Sequence, residues 1–160
     1  MIIVVMGVSG VGKTTIGTLL AQQLNIPFYD GDDFHPEANI AKMQHGVPLT
    51  DSDRRLWLHT LHDLIQQLAE AQQSAVIACS ALKNSYRQIL AEGSEDVRFV
   101  FLHGSYDLIQ QRLQQRRQHF MSASLLQSQF EALEAPADVL TVEITDTPEA
   151  IATTIRNQLT

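Results

Sequence analysis

The sequence predicts an α/β fold, in which a five-stranded parallel sheet lies between two layers of helices in a three-layer sandwich. Three observations predict it. Strand-like and helix-like segments alternate from one end of the chain to the other, the pattern of parallel strands joined by helical crossovers. Ile2–Met6 is an unbroken apolar run rich in β-branched residues, as expected of a strand covered on both faces. The 160 residues contain no repeat, low-complexity tract or linker, so one domain spanning 1–160 is expected.

Taken in order, Ile2–Met6 is the first strand, and a glycine loop then leads into a helix from about Lys13 to Leu24. Pro27–Asp30 reads as a short second strand. From Asp53 to about Ala71 the apolar residues Leu58, Leu61, Leu64, Ile65 and Leu68 recur on one helical face. Ala75–Cys79 is the third strand, Asn84–Glu92 a helix and Arg98–Leu102 the fourth strand. Ser105 to about Arg117 is helical, with Leu108, Ile109 and Leu113 as its stripe, and Leu125–Leu133 is another helix. Val139–Ile144 is the fifth strand. Pro148–Leu159 closes the chain as a helix, with proline in its favoured first turn.

Composition narrows the function. The formal charge of −7 disfavours non-specific nucleic-acid binding. The single cysteine, Cys79, excludes an internal disulfide and fits a reducing compartment. The N-terminal apolar run is too short for a signal peptide or a membrane span, and no other segment is long and apolar enough, so a cytoplasmic protein is expected. An acidic chain that binds an anionic ligand must concentrate its cations, which directs attention to where its 11 lysines and arginines cluster.

Gly7-Val8-Ser9-Gly10-Val11-Gly12-Lys13-Thr14 matches G-x-x-x-x-G-K-[ST] without a gap, directly after a predicted buried strand and at the start of a predicted helix. Glycines let the backbone curl so that successive N–H groups, from Gly7 through Thr15, face phosphate oxygens at a helix N-terminus. Lys13 is expected to reach the β- and γ-phosphates of ATP, and the Thr14 hydroxyl to ligate Mg²⁺. A guanine-specifying N-K-x-D and the switch motif D-x-x-G are both absent, which argues against a GTPase. The third strand ends in Cys79-Ser80 rather than in the acidic pair usual in large ATPases.

The carboxylates stand instead at the end of the second strand, in Asp30-Gly31-Asp32-Asp33. Ligands of open α/β sheets bind beyond the carboxyl ends of the strands, so this segment should lie beside the phosphate loop. There a carboxylate can hold Mg²⁺ or accept the proton of an attacking hydroxyl. Asp30 and Asp32 are two apart and would point the same way in an extended segment, leaving Asp33 as a helix cap or a solvent-facing residue. Which of Asp30 and Asp32 is the base stays open.

The chain resembles bacterial-type gluconate kinases, within the wider group of shikimate and nucleoside monophosphate kinases. The resemblance rests on Asp30-Gly31-Asp32-Asp33-Phe34-His35-Pro36, then Asn39, Lys42-Met43, Gly46, Pro48-Leu49, Asp51, Asp53-Arg54 and Trp57-Leu58. It continues through Cys79-Ser80-Ala81-Leu82-Lys83, Tyr86-Arg87, His119-Phe120-Met121, Ser128-Gln129-Phe130 and Leu133-Glu134-Ala135-Pro136. The chain departs from the pattern at Leu56 and Gln118, and in a short stretch between Pro136 and Val139.

The resemblance implies a mobile lid at about 112–124, with Arg112 near the adenine and Arg116 near the transferring phosphoryl group, and it implies a homodimer. Arg112 and Arg116 are four apart on one helical face, and arginine's planar fork suits both base stacking and phosphate. Arg54, Lys83 and Arg87 are expected to bind the carboxylate of a sugar acid, and His35 and His119 its hydroxyls. Asp32 would orient the reacting hydroxyl while Asp30 and Thr14 hold hydrated Mg²⁺. Trp57 is read as packing and Cys79 as a buried strand-end residue. The expected activity is transfer of the γ-phosphoryl of ATP to the C6 hydroxyl of gluconate. The rivals are a shikimate or nucleoside monophosphate kinase and, in another class, an ATP-binding regulator without catalysis.

Overall fold

A computed structural model of the chain describes residues 1–115 and 123–160. Its strands are β1 (Ile2–Met6), β2 (Phe28–Asp30), β3 (Ala75–Ala78), β4 (Val97–His103) and β5 (Leu140–Glu143). They form one sheet in the order β2-β3-β1-β4-β5, and every pairing is parallel. The helices are α1 (Lys13–Leu24), α2 (Glu37–Gln44), α3 (Asp51–Glu70), α4 (Asn84–Ala91), α5 (Tyr106–Gln115), α6 (Ala123–Ala132) and α7 (Pro148–Leu159).

Side-chain alternation along the strands produces the layers. Ile3 and Val5 of β1 join Leu20 of α1 and Ile151 and Ile155 of α7 in one core. Ile2, Val4 and Met6 face the opposite way and pack with Leu58, Leu61 and Ile65 of α3 and with Leu90 of α4. β1 lies at the centre with all five residues buried, which explains its unbroken apolar run. The chain leaves β1 for β2 on one side of the sheet and later reaches β4 on the other. The crevice at the carboxyl ends of β1 and β3 is therefore the topological switch point where α/β sheets bind ligands.

Two regions differ most from the sequence expectation. α3 starts at Asp51, two residues early, because Thr50 and Asp53 form a capping box: Thr50 Oγ1 accepts from Asp53 N at 3.1 Å and Asp53 Oδ2 accepts from Thr50 N at 2.9 Å. Between β2 and α3 the chain forms a 3-10 turn, Gly31–Phe34, and then α2, neither of which the apolar pattern announces. α2 buries only Asn39 and has no apolar stripe.

Candidate active site

The phosphate loop joins β1 to α1. Gly12 sits at φ 97°, a left-handed conformation that suits glycine, and serves as the N-cap of α1 without any side-chain cap. α3 and α7 are closed by Thr50 and Thr147. α1 instead leaves its first N–H groups and its positive dipole end turned toward the crevice. Lys13 folds back over the loop and its Nζ donates to the carbonyls of Gly7 and Val8, both at 3.0 Å. From α6, Gln129 Oε1 accepts from Ser9 N at 2.8 Å.

The acidic turn lies opposite. Gly31 is required by close approach: a Cβ there would stand 2.3 Å from the carbonyl oxygen of Ala78 in β3. Its own carbonyl accepts from Trp57 Nε1 at 2.7 Å. Asp30 Oδ1 accepts from Asp32 N at 3.0 Å, so Asp30, not Asp33, caps this turn. The expectation that Asp30 and Asp32 share a direction in extended chain does not hold. The backbone bends into the 3-10 turn after Asp30, and Asp33 lines the crevice with them.

Thr14 Oγ1 donates to Asp30 Oδ2 at 3.1 Å. A hydroxyl and a carboxylate this close, beside a phosphate loop, are the hard oxygen donors that suit Mg²⁺, which takes most of its ligands from phosphates and water. Among the described residues no group of three or more His, Cys, Asp or Glu could hold a metal ion. Burial against the loop pushes the Asp32 carboxyl above the usual range, Lys13 opposes this, and Asp30 and Asp33 add to it. Water reaches 73% of the Asp32 side chain, so the desolvation behind that upward push is small in the open crevice.

His35 follows the acidic turn and stacks on Trp57, with ring centroids 4.1 Å apart and planes 17° apart. Burial, then the nearby Arg54 charge, lowers its pKa to about 4, so the ring is neutral near pH 7. Arg54 Nη1 donates to Tyr86 Oη at 3.0 Å, and that phenol donates in turn to the Asp51 carboxylate. The chain Asp51–Tyr86–Arg54 thus aims the guanidinium across the crevice. The hydrogen bond from Tyr86, followed by the one from Lys83, holds the Asp51 carboxyl below its ordinary value.

One cavity of about 460 Å³ contains both halves of the site. Of the residues expected from sequence, it is lined by Ser9, Gly10, Gly12, Lys13, Thr14, Thr15, Asp30, Asp32, His35 and Arg54. Gly7 and Val11 are buried behind the loop. The cationic group Arg54, Lys83 and Arg87 is not one cluster. Lys83 pairs with Asp51 at 3.0 Å. Arg87 is only 7% exposed and donates to the carbonyls of Ala81 and Glu134, at 2.7 and 2.8 Å. Neither lines the cavity. Arg87 packs inward from α4, where its guanidinium satisfies buried carbonyls rather than facing a ligand. Arg112 Nη2 donates to the Ile144 carbonyl at 2.9 Å, beyond the end of β5. Arg116, Arg117, Gln118 and His119, and with them the centre of the expected lid, lie outside the described residues.

The cavity also holds residues to which the sequence reading gave no role there, among them Met43, Leu49, Trp57, Ser128 and Gln129. Trp57 is both core and cavity wall, 2% exposed yet the platform under His35. Several of these stand in the strings that carried the resemblance, but only the tertiary contacts give them tasks. Cys79 is fully in the core, and burial pushes its thiol up to about 12, as an inert residue requires.

A phosphate loop opposed by an acidic turn and a cation at the switch point of a parallel sheet defines a phosphotransferase site of the P-loop kinase class. Residues 9–160 match the shikimate kinase family (SKI), and the chain belongs to it. Within that family it is similar to gluconokinases. It is 48% identical over 145 residues to the thermosensitive gluconokinase of Escherichia coli K12, covering 88% of this chain and 78% of that one. A gluconokinase structure from Sinorhizobium meliloti 1021 superposes with a TM-score of 0.85 at 40% identity, covering 98% of this chain and 94% of that chain. The probable gluconokinase of Rattus norvegicus is 54% identical over 96 residues, 60% of this chain, and the match spans about half of that relative, 52%. Among the described residues no helix is long and apolar enough to cross a membrane.

Proposed function

We propose that this chain phosphorylates gluconate, moving the γ-phosphoryl group of ATP to the C6 hydroxyl to give 6-phosphogluconate. The observation that carries the reading is that the phosphate loop, Asp32, His35 and Arg54 share one cavity. A shared cavity lets an acid acceptor meet the phosphoryl group without water between them, and most of the rate of phosphoryl transfer comes from positioning and electrostatics.

In this reading the loop amides and Lys13 bind the β- and γ-phosphates, and Lys13 leaves its carbonyl partners for them. Asp32 orients the acceptor hydroxyl and takes its proton as the bond to phosphorus forms. Its position at the mouth of the turn, with Lys13 within electrostatic reach, supports that role. Arg54 binds the acceptor carboxylate and His35 an acceptor hydroxyl. Thr14 and Asp30 would hold Mg²⁺, which supplies charge neutralisation at the phosphates when bound. The family resemblance supports roles for Arg112, Arg116 and His119 at the nucleotide and the acceptor, within a single domain. A cytoplasmic homodimer completes the reading, supported by the family resemblance and by the lone buried thiol.

The test is coupled ADP release with Mg²⁺·ATP and gluconate, its epimers, shikimate or nucleoside monophosphates. Gluconate-dependent turnover is expected. Turnover only with another acceptor overturns the acceptor assignment, and no turnover with any of them favours a non-catalytic nucleotide binder. Asp32→Ala should lower kcat on the order of 10²- to 10⁴-fold with little change in ATP binding. Near-normal turnover in that variant would remove Asp32 from the mechanism.

A further inference from the structure

We propose that Asn39 is a positioning residue that fixes the tautomer of His35, so that the imidazole faces the cavity as an Nε2–H donor beside Asp32. Asn39 is 3% exposed, and with Arg87 it is one of two buried polar residues among those described. Its Nδ2 lies 2.8 Å from the backbone carbonyl of Asp53 and 3.2 Å from His35 Nδ1.

The assignment follows from donor and acceptor counting. A carbonyl oxygen only accepts, so the amide nitrogen of Asn39 must face Asp53. Turning the amide over would set its oxygen against that carbonyl. The NH₂ group has two hydrogens. One goes to Asp53, and the other points at His35 Nδ1, which must therefore offer a lone pair. A ring with hydrogen on Nδ1, or on both nitrogens, would oppose N–H to N–H. The neutral ring therefore carries its hydrogen on Nε2.

That nitrogen stands 3.9 Å from Asp32 Oδ1, too far for a direct hydrogen bond. An acceptor hydroxyl between them would take a hydrogen bond from His35 and give one to Asp32. This last consequence rests on the acceptor reading above; the tautomer does not. The other groups around the ring fit the assignment. The face of Trp57 covers one side. Arg54 adds positive charge that discourages a second proton. The Asp53 carboxylate is turned away, engaged by Lys42 at 2.8 Å and by Thr50 N at 2.9 Å. Asn39 and Lys42 both belong to α2 and both hold Asp53, so the short helix and the start of α3 move as one support for the ring.

The deciding measurement is the imidazole nitrogen-15 spectrum of the full chain without substrate at neutral pH, with His35→Gln used to identify the His35 signals among the six histidines. A protonated Nε2 and an unprotonated Nδ1 are expected. An Nδ1–H tautomer, a doubly protonated ring or a rapidly averaged mixture in the wild-type protein overturns the proposal. Asn39→Leu should shift the ring toward the Nδ1–H form. It should also raise the acceptor KM about tenfold, the effect of one lost or misdirected hydrogen bond, without moving the ATP KM. Asn39→Asp should draw a proton to Nδ1 and raise the pH at which the ring charges. An unchanged tautomer in both variants removes Asn39 from the role. If either variant fails to fold, the wild-type spectrum still decides the tautomer. Should the tautomer be as expected while no acid acceptor supports turnover, the acceptor reading falls and the assignment of Asn39 stands.

Discussion

The two walls of the cavity are built in opposite ways. The donor wall of the proposed reading comes from one stretch, Ser9, Gly10 and Gly12 to Thr15, and it offers backbone N–H groups at an uncapped helix end. The proposed acceptor wall takes Asp32 from a turn after β2, His35 from the next bend, Arg54 and Trp57 from α3, and support from Asn39 in α2 and Tyr86 in α4. The donor wall needs glycines at set intervals, and nearly any sequence context can supply them. The acceptor wall needs side chains from distant segments to interlock, so each of its members depends on another.

Lys13 tests whether the two walls act separately. Lys13→Met should lower kcat on the order of 10³-fold while the acceptor KM changes little, as measured by coupled ADP release. A large acceptor KM effect instead would mean that the two walls are not separable.

Arg54→Met should act on the other wall, raising the KM for an acid acceptor about 10- to 100-fold with the ATP KM nearly constant. That is the range expected for a hydrogen bond to a charged group. Tyr86→Phe, which removes the tether to Arg54, should produce a weaker version of the same change. Equal effects on both substrates would deny Arg54 its place on the acceptor side.

Arg87 sharpens the contrast, because it lies one residue after Tyr86 and its guanidinium is turned into the protein. Arg87→Met leaves the Ala81 and Glu134 carbonyls without that donor and should cost about 2–3 kcal/mol in urea unfolding. Its kcat/KM at a temperature where it stays folded should be close to wild type. A selective rise in acceptor KM would return Arg87 to the site.

The smallest effect is on stability against pH. His35 takes a proton in the unfolded chain below its ordinary 6.5 and in the folded chain only near 4. Above 6.5 the ring is neutral in both states and adds no pH dependence; as pH falls from 6.5 toward 4 the unfolded state gains protons and stability is lost. A loss on the order of 3 kcal/mol over that window is expected from the size of the shift. His35→Gln should flatten the melting temperature over the same window. An unchanged slope in that variant would show that other groups govern acid sensitivity.

How much of each wall was legible follows from the same difference. G-x-x-x-x-G-K-[ST] is a local string whose function is carried by its own backbone, so spacing and a preceding apolar strand sufficed to find it. The acidic turn was legible as a place, because strand ends in α/β sheets face ligands, but its shape was not. Asp30 turned out to cap the turn and Asp33 to line the cavity. The cations were the poorest guide. Lys83, Arg87 and Arg54 look alike in sequence, and burial alone separates the arginine that braces two carbonyls from the one that reaches the cavity. α2 escaped notice because a helix held by Asn39 and Lys42 to Asp53 needs no apolar stripe.

Local sequence alone sets the alternation of strands and helices, the buried centre of the sheet and the phosphate loop. All of these depend on neighbours within a few residues and on the periods of 2 and 3.6 that local sterics impose. The turn of the acidic segment, the partners of the cations and the hydrogen-bonding sense of His35 come from the folded arrangement. Those depend on which distant groups arrive within about 3 Å, a distance that folding sets and local spacing does not encode.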